Sequence, residues 1–383
     1  MKHLFFLLTL LFCLPLAAQQ TYRAQVVDAE TGEALPYVNI YVAAGRGTMT
    51  NSKGYFIIEA EPTEQLSFRY VGYETMQVDA AALSGVVRMK PYTRELAEVV
   101  VTPIHAHDIL RQVISRLDAE YRKHKKAQQV YFFRSVLENK VGAYMLEAFL
   151  RARDAVNARD EILLSGVRGT ERRGAGYFPS LNITNIQRHI ETGPKTFGST
   201  FWEKAVKPLD SFSRAKRYYA FDSSILRGED GKTIYCIDCT WTHEMTHALR
   251  NTRYITGKLY VEADTYRMLR FDGRVNNAYQ WVDLDRLPAD IRFHITYDHS
   301  RGYTSMAHLA VEGGNAQMRY HSIAFAVEGY DNVRKKQKSG SSNLVIAIEE
   351  TACDSTLWTE EIVRRTEEEE RIFKNGMESL SAP

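Results

Sequence analysis

The chain has few cysteines, little net charge and no long hydrophobic run beyond its first residues. Its formal net charge of +2 over 383 residues does not favour binding to nucleic acid or to a strongly acidic partner. No stretch of about 18 apolar residues follows the N-terminal segment, so hydropathy predicts no membrane-spanning helix there. The sequence also has no internal repeat and no Gly-x-Ser-x-Gly motif, which argues against a solenoid and against an α/β-hydrolase.

The four cysteines are Cys13, Cys236, Cys239 and Cys353. Cys13 lies in the N-terminal apolar segment directly after a leucine and a phenylalanine, where a lipoprotein acylation site would need small residues. The other three are an odd number in an oxidising compartment. One pair can therefore form a disulfide, and one thiol remains.

The first 19 residues have the pattern of a secretory signal peptide. Lys2 and His3 form a short basic start, residues 4–16 form an apolar run of 13 residues, and residues 17–19 (AAQ) offer small side chains for cleavage. The run is too short to span a membrane as a helix. We therefore predict an exported protein, periplasmic or associated with the outer membrane, with a signal peptide over residues 1–19.

The region after the signal peptide alternates short strands with turn signals. Residues 28–32 (DAETG) and residues 51–54 (NSKG) combine Asp or Asn with a closing glycine, which is typical of turns. Between them Val38, Ile40 and Val42 alternate with polar or larger residues, as in a half-buried strand. Short strands at this spacing predict a β-sandwich.

Six motifs in this region resemble those of the carboxypeptidase regulatory-like domain, a transthyretin-type sandwich found in Bacteroidetes-type envelope proteins. They are the two turns just described together with residues 35–36 (LP), 47–48 (GT), 70–74 (YVGYE) and 98–102 (EVVVT). The resemblance implies a seven-stranded prealbumin-like β-sandwich over residues 20–103 and a location in the cell envelope.

Residues 104–383 predict a second, α+β domain. A helix begins near Asp108, with apolar residues at three-to-four spacing and a basic end at residues 122–126. The period then changes to two, which predicts a hairpin from residues 130–137 and 144–152 and later strands at 218–221, 233–239, 257–263, 268–275, 291–297, 306–311 and 320–327. Further helices are predicted at residues 200–206 and 357–373. This order indicates a large antiparallel sheet with helices packed on it.

One strand pair in this domain resembles the lipoprotein-carrier-like half barrel. The segment at residues 257–265 (GKLYVEADT) is followed by residues 268–271 (MLRF). In that family a curved sheet wraps an apolar cavity, so the resemblance implies an apolar ligand.

His243, Glu244 and His247 satisfy the zinc-peptidase pattern His-Glu-x-x-His. On a helix the two imidazoles share a face and can bind one zinc, while Glu244 activates its water. However, the segment lies between two predicted strands, and Arg250 and Arg253 occupy the positions where a metzincin has glycine and histidine. We therefore expect a polar connection between strands, with a zinc site as the alternative.

Cys236 and Cys239 precede His243 and His247, which gives four candidate zinc ligands within twelve residues. The gap between Cys239 and His243 is much shorter than in a zinc finger. In an extended strand the two thiols point to opposite faces about 10 Å apart, too far for a mutual disulfide. A buried thiol or a bridge to Cys353 is the expected role.

These observations predict a non-enzymatic exported envelope protein that binds or scaffolds a protein partner or an apolar ligand. A peripheral contact with the outer membrane fits the same location. We expect no cofactor, no catalytic residue and no nucleic-acid partner. The alternative function is a zinc metallopeptidase that uses Glu244 as the base and His243 and His247 as metal ligands.

Overall fold

The computed structural model describes residues 19–42, 47–51, 53–96, 105–124, 126–140, 142–153, 163–169, 219–228, 231–241, 254–282, 285–330, 358 and 365–381. The chain forms two compact units. One comprises Met1–Thr93 with Arg227–Lys232, and the other comprises Arg94–Leu226 with Thr233–Pro383. The described residues are mainly β, as the sequence predicted. The predicted signal peptide, the predicted helix at residues 200–206 and the strand motif at 98–102 lie outside the described residues.

The described residues of the N-terminal unit form seven strands in two sheets, which confirms the predicted seven-stranded sandwich. One sheet has the order β4-β1-β7 and the other the order β3-β2-β5-β6. The buried side chains of both sheets form one core, which includes Val26, Ile40 and Phe68. The strands are β1 Gln20–Asp28, β2 Asn39–Tyr41, β3 Gly47–Met49, β4 Tyr55–Ala60, β5 Gln65–Arg69, β6 Met76–Asp79 and β7 Val86–Met89.

The turn after β1 shows why its sequence motif is needed. One oxygen of Asp28 accepts the backbone N–H groups of Glu30 (2.7 Å) and Thr31 (2.9 Å), and Gly32 takes the positive φ of +72° that closes the turn. The other oxygen accepts the hydroxyl of Tyr73 at 2.7 Å. Two motifs far apart in sequence therefore meet at one carboxylate.

The second unit is built on a sheet of eleven strands. Its order is β11-β10-β9-β18-β17-β16-β15-β14-β13-β12-β8, and the pairs from β11 to β13 are antiparallel. The strands are β8 Thr93–Leu96, β9 Gln128–Asn139, β10 Ala143–Arg153, β11 Leu163–Gly169, β12 Tyr219–Arg227, β13 Thr233–Trp241, β14 Tyr254–Glu262, β15 Met268–Val282, β16 Asp285–Asp298, β17 Ser305–Gly314 and β18 Met318–Tyr330. The predicted large antiparallel sheet is therefore confirmed.

Several elements differ from the sequence predictions in their extent. Strands β15 and β16 are 15 and 14 residues long, which is longer than predicted. They pair with each other beyond their apolar central residues. Strand β11 was not predicted. Strand β8 pairs in the large sheet, although its residues fell within the predicted sandwich segment 20–103.

The predicted helix after the sandwich is present as α1, Ala106–His124. The predicted C-terminal helix was placed too early, at residues 357–373, whereas α2 spans Glu367–Ser381 and Trp358 is not helical. The reason is a capping box. The Thr366 hydroxyl accepts the Glu369 N–H at 3.2 Å, and the Glu369 carboxylate accepts the Thr366 N–H at 2.8 Å.

Helix α1 packs on one face of the large sheet, which we call the helix face. Its buried side chains Ile109, Val113 and Leu117 share a core with alternate residues of nine strands. Two glycines make room on this face. Gly257 lies opposite Gly273, and the Phe293 ring lies over Gly273, where a Cβ would be 2.3 Å from its Cζ atom. The aromatic ring thus packs directly on the backbone.

Polar contacts fix α1 against the hairpin turns. Arg116 donates from Nη1 to the Thr265 carbonyl at 3.1 Å, in the turn between β14 and β15. Glu120 pairs with Arg116 at 2.8 Å and accepts the Thr304 N–H at 2.8 Å, between β16 and β17. Both turns lie at the same end of their strands. The contacts therefore hold α1 at that end of the sheet.

Candidate functional site

The residues of the large sheet that point away from α1 form its second face, and this face carries two clusters of buried charge. The carboxylate cluster lies on β9, β10 and β11 and centres on Glu147. The histidine cluster lies on β15, β16 and β17 and centres on His294. Strand alternation places the side chains of both clusters on the second face, opposite the apolar side chains that pack against α1.

The carboxylate cluster joins one glutamate to three arginines. Glu147 is fully buried and lies between Arg168 and Arg134 in the cross-strand register. Its Oε1 accepts from Arg134 Nε at 2.8 Å and from Arg365 Nε at 2.9 Å. Its Oε2 accepts from Arg168 Nε at 2.7 Å and from Arg365 Nη2 at 2.6 Å. Arg365 therefore binds both oxygens of Glu147 through Nε and Nη2, a bidentate geometry that is specific to arginine.

Acidic residues of α2 complete the network. Glu369 accepts from Arg134 Nη1 at 3.0 Å and lies 3.6 Å from His321 Nε2. Glu370 accepts from Arg365 Nη1 at 2.9 Å. Three glutamates thus balance three arginines, which is the condition for burying so much charge.

The pKa directions agree with this balance. Burial alone would raise the pKa of Glu147, but the hydrogen bonds from Arg365 and the charge of Arg134 outweigh it, so the pKa is lowered. For Glu369, burial is likewise outweighed, here by the hydrogen bond with His321 and the charge of Arg134, and the pKa falls to about 2. Both carboxylates are therefore ionised at neutral pH.

Aromatic side chains surround the carboxylate cluster. Trp358 contacts Phe149 edge-on, with ring centroids 4.9 Å apart, and Phe149 in turn contacts Phe132 at 5.4 Å. The Arg168 guanidinium lies 4.0 Å from the Trp358 ring centroid, and the Arg365 guanidinium lies 3.7 Å from that of Phe373. This aromatic cluster is separate from the core on the helix face.

The histidine cluster pairs an imidazole with a carboxylate. His294 Nδ1 lies 2.5 Å from Asp272 Oδ1, and Arg270 binds Asp272 Oδ2 through Nε at 2.8 Å. The Arg270 guanidinium also lies over the Tyr260 ring at 4.0 Å, and the His308 ring lies 6.3 Å from that of His294. The Asp272 side chain is 32% exposed, whereas the histidines and Arg270 are buried.

Burial decides the protonation of this cluster. Burial, together with the smaller effect of the neighbouring His294, lowers the pKa of His308 to about 3. Burial also lowers the pKa of His294, although the hydrogen bond that its Nδ1 makes to the Asp272 carboxylate opposes this shift. For Asp272, burial is outweighed by the charge of Arg270, and the pKa is lowered. At neutral pH both imidazoles are neutral, and the charges of Arg270 and Asp272 neutralise each other.

The residues of the alternative zinc site, His243, Glu244 and His247, lie outside the described residues, as does Cys353. The distances between these residues are therefore not described. Among the residues that it does describe, no group of three or more His, Cys, Asp or Glu side chains is placed to hold a metal ion.

Cys236 and Cys239 are both buried in the regular strand β13. Cys239 belongs to the core on the helix face, and alternation places Cys236 on the second face. Burial raises the pKa of the Cys239 thiol well above its usual value, as do the charges of Asp238 and Cys236. A thiol with a raised pKa is a poor nucleophile and a poor metal ligand, which agrees with the expected role as a buried thiol.

The sequence reasoning did not identify either charged cluster as a site. The sequence does contain a local indication for Glu147, because it is the one charged residue within the apolar strand sequence AYMLEAFL. Its partner Arg365 is 218 positions away, and no local pattern connects the two. His294 and Asp272 lie on neighbouring strands and come together only through the register.

Comparison with known proteins identifies the N-terminal domain. The family model of the CarboxypepD_reg-like domain matches residues 23–101, which confirms that part of the predicted resemblance. No curated protein matches the chain. In the described part of the chain, no helix is long and apolar enough to cross a membrane.

Solved structures share only a distant likeness with the chain. An outer membrane lipoprotein-sorting protein domain from Vibrio parahaemolyticus is 14% identical, with a TM-score of 0.30, and the match covers 64% of this chain and 100% of that one. A LolA superfamily protein from Nitrosomonas europaea is 10% identical, with a TM-score of 0.27 and coverage of 62% and 98%. MucB from a complex with MucA is 8% identical, with a TM-score of 0.16 and coverage of 60% and 99%. At such scores no function is transferred from these proteins.

Proposed function

We propose that this chain is a non-enzymatic, exported envelope protein that binds or scaffolds a partner. The observation that carries the proposal is the Glu147 cluster. A catalytic carboxylate needs a pKa near the working pH and access to a substrate. Glu147 is fully buried, its pKa is lowered, and both of its oxygens accept hydrogen bonds from arginines. The most buried carboxylate in the described part of the chain therefore holds elements of the fold together and is not placed to act on a substrate.

Two further observations support the location and the class. The N-terminal pattern of a basic start, an apolar run and small residues is typical of a secretory signal peptide. The CarboxypepD_reg-like match at residues 23–101 fits the envelope location that the sequence resemblance implied. The partner that we propose is another envelope protein or an apolar ligand, with the protein in the periplasm or peripherally on the outer membrane.

Native mass spectrometry of the protein isolated from the cell envelope tests this proposal. We expect an N-terminus between Ala17 and Thr21, and a mass excess from a bound protein or lipid that is lost on denaturation. An intact Met1 in a cytosolic fraction would contradict the export step. A mass equal to that of the bare mature chain, before and after chemical crosslinking in cells, would contradict the binding role.

The same preparation distinguishes the zinc-peptidase alternative. A catalytic zinc would be stoichiometric, lost in His243→Ala and in His247→Ala, and retained in Glu244→Gln together with a loss of hydrolysis. We expect instead less than one-tenth of an equivalent of zinc, measured on protein without a histidine tag. One equivalent with hydrolysis that depends on Glu244 would replace our proposal with the enzyme.

A further inference from the structure

The C-terminal strap is defined as Trp358 together with residues 365–381, and its described side chains contact the large sheet mainly through charged groups. Among α2 residues 367–375, the buried side chain is that of Glu369, whereas Ile372 and Phe373 are only partly buried. Most amphipathic helices bury an apolar stripe instead. The described part of this helix, residues 367–375, therefore contacts the sheet by ion pairs and cation–π contacts more than by apolar area.

The contacts of the strap converge on a small part of the sheet. Arg365 binds Glu147 of β10, Glu369 binds Arg134 of β9, and Trp358 contacts Phe149 of β10. In the described part of the chain, these contacts lie on the second face, near the edge strand β11. The apolar residues beneath the strap form a cluster of their own, apart from the core that α1 covers. The main core therefore does not depend on the strap.

The surface beneath the strap has its own chemistry. The sheet contributes Arg134, Arg168 and Glu147, which leaves one net positive charge, and His321 lies beside them. Phe132 and Phe149 supply an apolar floor. The strap fits this surface with Arg365, which binds Glu147, with Glu369, which binds Arg134, and with the rings of Trp358 and Phe373.

From this complementarity we propose that the strap is a displaceable cover, and that the surface beneath it is a docking site for a helix of a protein partner that presents an arginine and a glutamate where the strap has Arg365 and Glu369. The strap helix occupies the site in this structure as an intramolecular substitute for the partner helix. The described apolar side chains of the strap, Trp358, Ile372 and Phe373, are only partly buried, so that a local opening of this part breaks few apolar contacts, as in a subglobal unfolding unit. The inference rests on the proposed function, since it names the surface and the chemistry of the partner.

Hydrogen exchange on the full chain tests displacement without any mutation. We expect the α2 amides to exchange at least about 100-fold faster than the amides of β9 and β10, through an opening that is insensitive to low denaturant. If the α2 amides exchange only at the rate of global unfolding, together with β9 and β10, the strap is an integral part of the fold and the proposal is wrong.

A peptide supplied in trans tests docking. The probe is a labelled peptide of residues 365–381, and the host is the full chain with Arg365→Ala and Glu369→Ala, in which Glu147 keeps Arg134 and Arg168. We expect the probe to bind this variant at least tenfold more tightly than the wild-type chain, whose own strap competes. A matched peptide that carries the same two alanines should bind neither chain.

The outcomes separate this inference from the proposed function. Equal binding of the two peptides, or no binding of the probe to the variant, would overturn the docking site. If the envelope preparation still carries a bound partner in that case, the binding role stands and its surface lies elsewhere.

Discussion

Glu147 is the residue on which most buried charge of the second face depends. We expect Glu147→Gln to lower the free energy of unfolding by about 3–5 kcal/mol, because three arginines then lose a shared, buried carboxylate. The control is Glu138→Gln on the neighbouring strand, where the side chain is exposed, and we expect a change within about 0.5 kcal/mol. Urea unfolding followed by circular dichroism gives both values. A loss below about 1 kcal/mol for Glu147→Gln would contradict the central role of this residue.

His308 makes the fold sensitive to acid. Its pKa falls from an ordinary value near 6.5 to about 3 in the folded chain. Between these pH values the unfolded chain therefore binds a proton at His308 that the folded chain does not bind. The free energy of unfolding should therefore fall as pH decreases from 6.5 towards 3, by on the order of 4 kcal/mol from this residue. Glu369 adds a further loss between about pH 4.5 and 2.

The pH dependence of the urea midpoint checks this prediction. His308→Gln should flatten the profile between pH 6.5 and 4, because glutamine does not titrate. His321→Gln serves as the control, since the His321 side chain is 44% exposed, and it should leave the steep part of the profile in place. An unchanged profile in His308→Gln would mean that another group causes the acid sensitivity.

At the scale of elements, the pairing of β14, β15 and β16 depends on two glycines. A Cβ at Gly273 would lie 2.3 Å from Phe293 Cζ, and one at Gly257 would lie 2.0 Å from the Asp272 carbonyl oxygen. We expect Gly273→Ala to lower the free energy of unfolding by about 1–3 kcal/mol through overpacking. Gly257→Ala should lower it more, because the Asp272 carbonyl belongs to the backbone of a paired strand and cannot move aside as the Phe293 ring can.

Thermal unfolding of these variants provides the measurement. Gly142→Ala is the matched control, since its Cβ would meet only Tyr144 at 3.8 Å. Combining Gly273→Ala with Phe293→Leu should recover part of the loss by removing the ring. If the double variant is as unstable as the sum of the single variants, contact with Phe293 is not the cause.

At the scale of the whole molecule, the sequence predicts a linker around residues 103–107 between two independently folded parts. The seven sandwich strands all lie before Pro91, and their core is closed within the N-terminal unit. Limited proteolysis should cut the full chain near the linker and leave a fragment of residues 20–102 with a β-type circular dichroism spectrum. An unfolded fragment would show that the sandwich requires its neighbour.

The sequence by itself determined the local features of this protein. Patterns shorter than about 20 residues predict the turn at Asp28, the apolar stripe of α1 and the period-two strands of the large sheet. These features appear where they were predicted. The capping box at Thr366 is also a local sequence pattern, and it explains why α2 begins later than hydrophobic spacing indicated.

Only the tertiary structure decided which of these pieces meet. Strand β18 returns to pair with β9, and Arg365 reaches Glu147 across 218 positions of sequence. Likewise His294 joins Asp272 through strand register alone. A one-residue slip in pairing would move each of these side chains to the opposite face. The charged clusters are therefore properties of register and long-range pairing, which no local pattern in the chain encodes.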